Sequence, residues 1–393
     1  MAKVIDIIGK VLSGEWGTDD ETGDGIPVLR TTNFTNEGVV NYNDVVTRMI
    51  TKKNIEEKYL RKGDIIIEKS GGSDKFPVGR VIYFDGEDNT YLFNNFTGLL
   101  RVKDREIWYP RYVFYSLFAN YKRGGTRAFE NKTTGLHNLK IDDYVSRYEV
   151  AEIGLTEQVL ICDKLDKLYK IIKLREQELQ LLDELIKARF VELFGDPINN
   201  PKGWEVVTIG DIVTEVKYGT SKPAVEGGKY PYLRMNNLTS DGHLDLNDLK
   251  YIDISEDEIE KCVVRKGDVL FNRTNSIELV GKTAVFDLPD DMVIAGYIIR
   301  VRLNERMLPE VLSQYMNLEA LKDILRSMAK GAVNQANINA QELQSIKVYI
   351  PDMGLQKKFR EMKKQVDKSK VAVQKALEKT QLLFDSLMQQ YFG

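Results

Sequence analysis

The chain has 393 residues, two of them cysteine, and carries 56 Lys and Arg against 59 Asp and Glu, a formal net charge of −3. Hydrophobic residues make up 42% and charged residues 29%, a soluble globular profile with room for two or three domains of about 150 residues each. No apolar run approaches the roughly 20 residues of a membrane span, Met1 to Gly14 lacks a signal-peptide pattern, and Cys162 and Cys262 cannot build a disulfide framework, so a cytoplasmic setting without membrane contact is expected.

In chain order, the first 150 or so residues mix short β-type runs, Asp64 to Ile67 and Val78 to Tyr83, with Gly, Asn and Asp turn clusters. Pro110 opens an amphipathic helix whose Phe114, Leu117, Phe118 and Tyr121 share one face. A long helix is predicted from Leu155 to about Phe194. Its Leu165, Ile172, Leu179 and Ile186 recur every seven residues, interleaved with Leu168 and Leu182. After Gly195 to Pro201 the plan starts again. β-type runs fall at Asp268 to Phe271 and Val293 to Leu303, and Pro309 opens a helix with Leu321, Ile324, Leu325 and Met328 on one face. A second long helix is predicted from Leu355 to about Phe392, with Phe359, Val366, Val373 and Leu387 interleaved by Met362, Ala376 and Leu383. Arg175, Ser369 and Thr380 interrupt the two seams.

The repetition extends to individual residues. Pro27-Val28-Leu29-Arg30 answers Pro231-Tyr232-Leu233-Arg234, and Arg61-Lys62-Gly63-Asp64 answers Arg265-Lys266-Gly267-Asp268, both at a shift of 204. Val78-Gly79-Arg80 answers Val280-Gly281-Lys282, and further matches follow in the same order at shifts from 199 to 204. The chain therefore reads as a unit of about 200 residues used twice. The expected fold is α+β: two tandem α/β domains separated by two long helices that form an antiparallel coiled coil, with pseudo-two-fold symmetry. The expected segments are domain one at 1–154, helix one at 155–195, domain two at 196–354 and helix two at 355–393. About 38 residues of helix would make a rod of roughly 57 Å.

No catalytic apparatus is evident. Val280-Gly281-Lys282-Thr283 resembles the end of a phosphate-binding loop, but Ser276 stands where that motif needs glycine. Asn200-Pro201-Lys202-Gly203 lacks the second proline and the aromatic of an adenine-methyltransferase loop. His137 and His243 are too isolated for a zinc site, and Cys162 beside the seam suits packing better than nucleophilic chemistry. No cofactor or metal site is expected on this chain.

The polar clusters that could recognise a ligand lie at matching places. Lys122, Arg123, Thr126 and Arg127 follow the first amphipathic helix, with Asn131 and Lys132 beyond; Arg326 and Lys330 precede Asn334, Gln335 and Asn337. Arg and Lys can hold phosphate or guanine, while Asn and Gln can pair with adenine edges. The same residues also suit a solvated helix C-terminus, where positive charge is favoured. Lys69 with Arg273 and Asn275, and Arg30 and Asn33 with Arg234 and Asn237, form a second tier that equally fits turns and edge strands.

Two variable α/β modules, each followed by a long helix, resemble the specificity subunit of a Type I restriction–modification system. The resemblance rests most specifically on Phe190-Val191-Glu192-Leu193-Phe194-Gly195-Asp196-Pro197, on Asn200-Pro201-Lys202-Gly203-Trp204-Glu205, and on the module openings ending in Leu29-Arg30 and Leu233-Arg234. It implies a non-catalytic subunit whose two target recognition domains each read one half of a bipartite duplex DNA site, with the helices setting the spacer. It further implies two modification subunits that carry S-adenosylmethionine and methylate adenine, and motor–nuclease subunits that use ATP and Mg. One departure is that the first unit has no counterpart to Gly203-Trp204-Glu205 after Met1. The alternatives are a coiled-coil scaffold that binds proteins and a stand-alone DNA-modifying enzyme; the missing catalytic loops weigh against the latter.

Overall fold

The computed structural model describes residues 1–53, 55–133, 136–332 and 335–393, and the side chains of all of these but 132–133, 330–332 and 335. The chain forms two compact units, Met1–Leu174 with Ala376–Gly393, and Arg175–Lys375. Each unit is a sheet-rich module together with part of each long helix.

In the first unit the central sheet runs Leu12–Ser13, Thr97–Leu100, Ile65–Glu68, Val81–Tyr83, antiparallel throughout. Alternation along the buried strand Ile65–Glu68 divides the core in two. Ile65 and Ile67 face the helix Pro110–Lys122, joining Val113 and Leu117, whereas Ile66 joins Leu29, Ile82 and Phe93 on the other side. There a second sheet pairs Ile26–Leu29 in parallel with Leu92–Phe93. A three-stranded sheet joins Ser70–Gly72 to the hairpin of Glu130–Thr133 and Leu136–Leu139.

The second unit repeats these three sheets. Val213–Tyr218, Ile298–Leu303, Val269–Asn272 and Thr283–Val285 form the first, Tyr230–Leu233 pairs in parallel with Met292–Ile294, and Thr274–Asn275 joins the hairpin Lys330–Ala332 and Gln335–Asn337. Two expectations change. The run Val293 to Leu303 is two strands, broken by the turn at Ala295 to Ile298. The helix opened by Pro309 is likewise two, Pro309–Met316 and Glu319–Met328. Asn317 interrupts it because its side-chain amide donates to the Thr283 carbonyl at 2.5 Å, docking the helix end on a strand. The first module also has a counterpart to the opening of the second: Ala2–Lys3 pairs with Glu149–Val150 as Glu205–Thr208 pairs with Lys347–Ile350.

The long helices span Leu155–Phe194 and Met353–Phe392. In the first unit Leu165 and Ile172, with Leu168 half-buried beside them, share a core with Phe384, Met388 and Phe392, and Leu387 packs at its margin. In the second, Ile186 and Phe190 share a core with Phe359 and Val366, flanked by Leu182 and Met362, while Leu179 and Val373 are half-buried. Leu383 leaves the predicted seam: it is 49% exposed, and Phe384 takes the buried position. Towards the C-terminus the second apolar row follows the first by four residues, not three, and Thr380 is buried with its hydroxyl donating to the Ala376 carbonyl at 2.8 Å. Cys162 lies in the same core, and burial pushes its thiol well above the usual range, so it packs as an apolar side chain. Among the described residues, no helix is long and apolar enough to cross a membrane.

Candidate nucleic-acid interface

Equivalent loops meet at one place in each module. In the first, Gly14 lies so close to the turn after Leu92–Phe93 that a Cβ would stand 2.2 Å from the carbonyl oxygens of both Phe93 and Asn94. In the second, Gly219 meets the carbonyls of Ile294 and Ala295 at 2.2 and 2.3 Å, so only glycine fits either position. The turns are closed by Thr97 N–H donating to Asn94 O at 3.1 Å and Ile298 N–H donating to Ala295 O at 2.8 Å. Each turn carries an aromatic ring into solvent: Phe96 is 53% and Tyr297 49% exposed.

A cation stands beside each aromatic. The backbone N–H of Lys69 donates to the Phe96 carbonyl at 2.8 Å, and that of Arg273 donates to the Tyr297 carbonyl at 2.9 Å. The carbonyls of Lys69 and Arg273 in turn accept from Leu139 and Ile338, which follow Asn138 and Asn337 of the hairpins. The same backbone bonds therefore hold aromatic, cation and hairpin together in both modules. The side chains differ. Lys69 Nζ donates to Ser13 Oγ at 2.5 Å, and burial pushes its ammonium below the usual lysine value. The Arg273 guanidinium lies 4.9 Å from the centre of the Tyr218 ring and donates to the Gly296 carbonyl at 3.4 Å. Neither cation pairs with a carboxylate among the described residues, and Arg273 Nε is buried without a hydrogen-bond partner among them. Beside Arg273 and Tyr297 lies a cavity of about 620 Å³, also lined by Lys222, Tyr232, Arg234 and Asn236. Asn337 accepts from Thr274 Oγ1 at 2.9 Å, and Asn275 donates to Asn272 Oδ1 at 3.1 Å.

The other sequence candidates divide. Lys122 is exposed over the Phe118 ring, and Asn131 is exposed opposite Asn138 in the hairpin ladder. Arg127 donates to the carbonyls of Asp74 and Lys75, both at 3.2 Å, and braces the turn that carries exposed Phe76. Arg123, Thr126 and Arg326 make contacts within the fold. Arg123 holds the Phe392 carbonyl at the end of the last helix, and Thr126 is fully buried under Gly79. Arg326 is neutralised by Glu319 and Asp323 at 2.6 and 2.8 Å. Lys132, Lys330 and Gln335 lie on the hairpin strands, and Asn334 lies outside the described residues. Asn33 and Asn237 are likewise scaffold: each accepts from the backbone of Arg30 or Arg234 at 2.8 Å, and those arginines pair with Asp44 and Asp248. Phe96 and Tyr297 escaped sequence reasoning, although Gly296 inside the apolar run was available as a turn signal.

Two copies of one scaffold, each presenting an exposed aromatic beside a cation, make a protein of two equivalent modules. The family model described as the Type I restriction modification DNA specificity domain matches residues 4–184 and again 201–382, and the chain belongs to that family as a specificity subunit with two recognition domains. It is 24% identical over 352 residues to the Type I restriction enzyme EcoKI specificity subunit of Escherichia coli (strain K12), covering 84% of this chain and 72% of that protein. The fold matches the S subunit of a Type I restriction–modification system from M. genitalium with a TM-score of 0.61 at 16% identity, over 100% of this chain and 95% of that one. A chain from a structure of the type I R-M system, solved for its complex assembly and conformational transition, matches with a TM-score of 0.56 at 16% identity, over 100% and 96%.

Proposed function

We propose that each module reads one half of a bipartite duplex DNA site and that the two long helices pair antiparallel, setting the spacer and docking two modification subunits. The chain itself is non-catalytic on this reading. S-adenosylmethionine sits on the modification subunits, and ATP and Mg on motor–nuclease subunits of the same cytoplasmic complex. The observation that carries the reading is the repeated site: one backbone arrangement holds Ser13, Lys69 and Phe96 in one module and Tyr218, Arg273 and Tyr297 in the other. Different side chains on a common frame are what two readers of different base sequences require, since base-edge contacts specify while backbone contacts only position. The antiparallel pairing is supported by the shared cores, in which the start of one long helix meets the end of the other. Module exchange tests the proposal. In a host carrying the complete system, replacing residues 1–150 with another such module should change one half of the methylated motif, read by methylome sequencing, and leave the other intact. A change in both halves or in neither would overturn it.

A further inference from the structure

We propose that Phe96 and Tyr297 are duplex-inserting side chains, one for each half-site, and that Lys69 and Arg273 hold the phosphates flanking the opened base step. The inference rests on the DNA-reading function above and names the contact by which each module engages its half. Three observations converge on it. Each ring stands about half-exposed at the tip of a turn of a few residues, where an aromatic gains nothing from its own core. Each turn is held rigid from three sides: by its own closing hydrogen bond, by the bond from the neighbouring cation's N–H, and by a glycine that lets the preceding strand lie against it. A ring on such a post loses little freedom on binding, which suits a wedge between base pairs.

The third observation is charge. Arg30, Arg234, Arg302 and Arg326 are matched by carboxylates in ion pairs, whereas among the described residues the direct contacts of the Lys69 and Arg273 charged groups are neutral oxygens and a ring, with the Asp142 carboxylate acting on Lys69 only from a distance. Each cation is joined to the residue that carries the aromatic by one backbone hydrogen bond. Apolar ring and a cation outside any ion pair recur together although Phe is exchanged for Tyr and Lys for Arg. That combination fits a site where a base stack and a phosphate chain run side by side.

The test uses the whole complex of this chain with its modification subunits and a duplex carrying the motif obtained by methylome sequencing. 2-Aminopurine is placed in turn at each position of a half-site other than the methylated adenine. Wild-type complex should raise its fluorescence at one step in each half. Phe96→Ala should abolish the rise in the first half only, and Tyr297→Ala in the second only, each weakening binding about tenfold with the salt dependence unchanged. Phe96→Trp should keep the signal. Lys69→Ala or Arg273→Ala should reduce the slope of log affinity against log salt by about 1. Binding within twofold of wild type in both aromatic variants would overturn the inference, as would weakened binding with the 2-aminopurine signal intact. Failure of the underlying reading looks different: wild-type complex would then give no bipartite methylation motif at all.

Discussion

At the scale of single residues, the two modules satisfy the equivalent carbonyls of Thr31 and Met235 with different chemistry. In the first, Arg80 donates to the carbonyls of Thr31 and Phe34 at 2.9 and 2.8 Å, with buried Glu68 beside it. In the second, the repeat-equivalent Lys282 donates to the Met235 carbonyl at 3.0 Å, and Lys322 donates to the Gly281 carbonyl at 2.6 Å. The second solution buries the Lys322 ammonium without an ion pair among the described residues, and burial pushes it down from 10.5 to about 8 even though Glu319 acts the other way. The unfolded chain therefore holds this proton more tightly than the folded one. Below pH 8 the buried charge burdens the fold in full; as pH rises from about 8 towards 10.5 the folded state sheds the proton first and stability increases. Lys322→Met should remove that pH dependence and raise stability at pH 7 by about 1–3 kcal/mol, because the Gly281 carbonyl keeps the Thr283 hydroxyl as donor. Urea titrations at pH 7 and 9.5 measure this. A variant less stable than wild type at pH 7 would contradict it.

At the scale of elements, a buried glutamine at the start of each long helix docks it on its module. Gln158 is fully buried; its Oε1 accepts from Tyr109 N–H, and its Nε2 donates to the carbonyls of Ile107 and Ile153, all at 2.9 Å. Gln356 does the same with Leu308 N–H and the carbonyls of Arg306 and Pro351 at 2.8, 3.0 and 2.9 Å. Gln158→Leu keeps the volume but strands one donor and two acceptors in a dry joint, a loss of about 3 kcal/mol or more in a denaturant titration; a loss under about 1 kcal/mol would mean that water replaces the amide. Sequence periodicity could not reveal this joint. Gln158 follows Thr156 and Glu157 in the polar first turn of the helix, and its partner Tyr109 lies 49 positions away. The long helices themselves were legible, because a seven-residue apolar period constrains every turn. The row after Thr380 was not, since apolar Leu382, Leu383 and Phe384 are adjacent and only packing selects among them. Phe384→Ala should cost about 3–4 kcal/mol and Leu383→Ala under about 0.5, measured by the same titration; equal effects would return Leu383 to the seam. The site was half legible for a similar reason. Lys69, Arg273, Asn275 and Asn337 stand out as polar residues in repeated patterns, but Tyr297 lay hidden inside an apolar run that reads as one strand until Gly296 turns it.

At the scale of the molecule, the charge balance bears on how DNA is held. Residues 1–154 carry 22 basic and 23 acidic side chains, and residues 195–354 carry 18 and 24, so neither module offers a positive field. Many of the basic groups are already spent within the fold, as Arg101 on Asp64 and Arg302 on Asp268 illustrate. Phosphate neutralisation supplies most sequence-independent affinity, and each neutralised phosphate contributes about 0.9 to the salt slope. If Lys69 and Arg273 are the principal cations available to the duplex, the chain alone should bind a motif-bearing duplex with a slope near −2 and lose most of its affinity by about 150 mM salt. Adding the modification subunits should both tighten binding and steepen the slope, because the missing phosphate contacts would then come from the partners. Fluorescence anisotropy on one labelled duplex between about 50 and 200 mM salt separates the contributions. Nanomolar binding by the chain alone at about 150 mM salt would mean that the two modules hold DNA by themselves, through cations other than this pair.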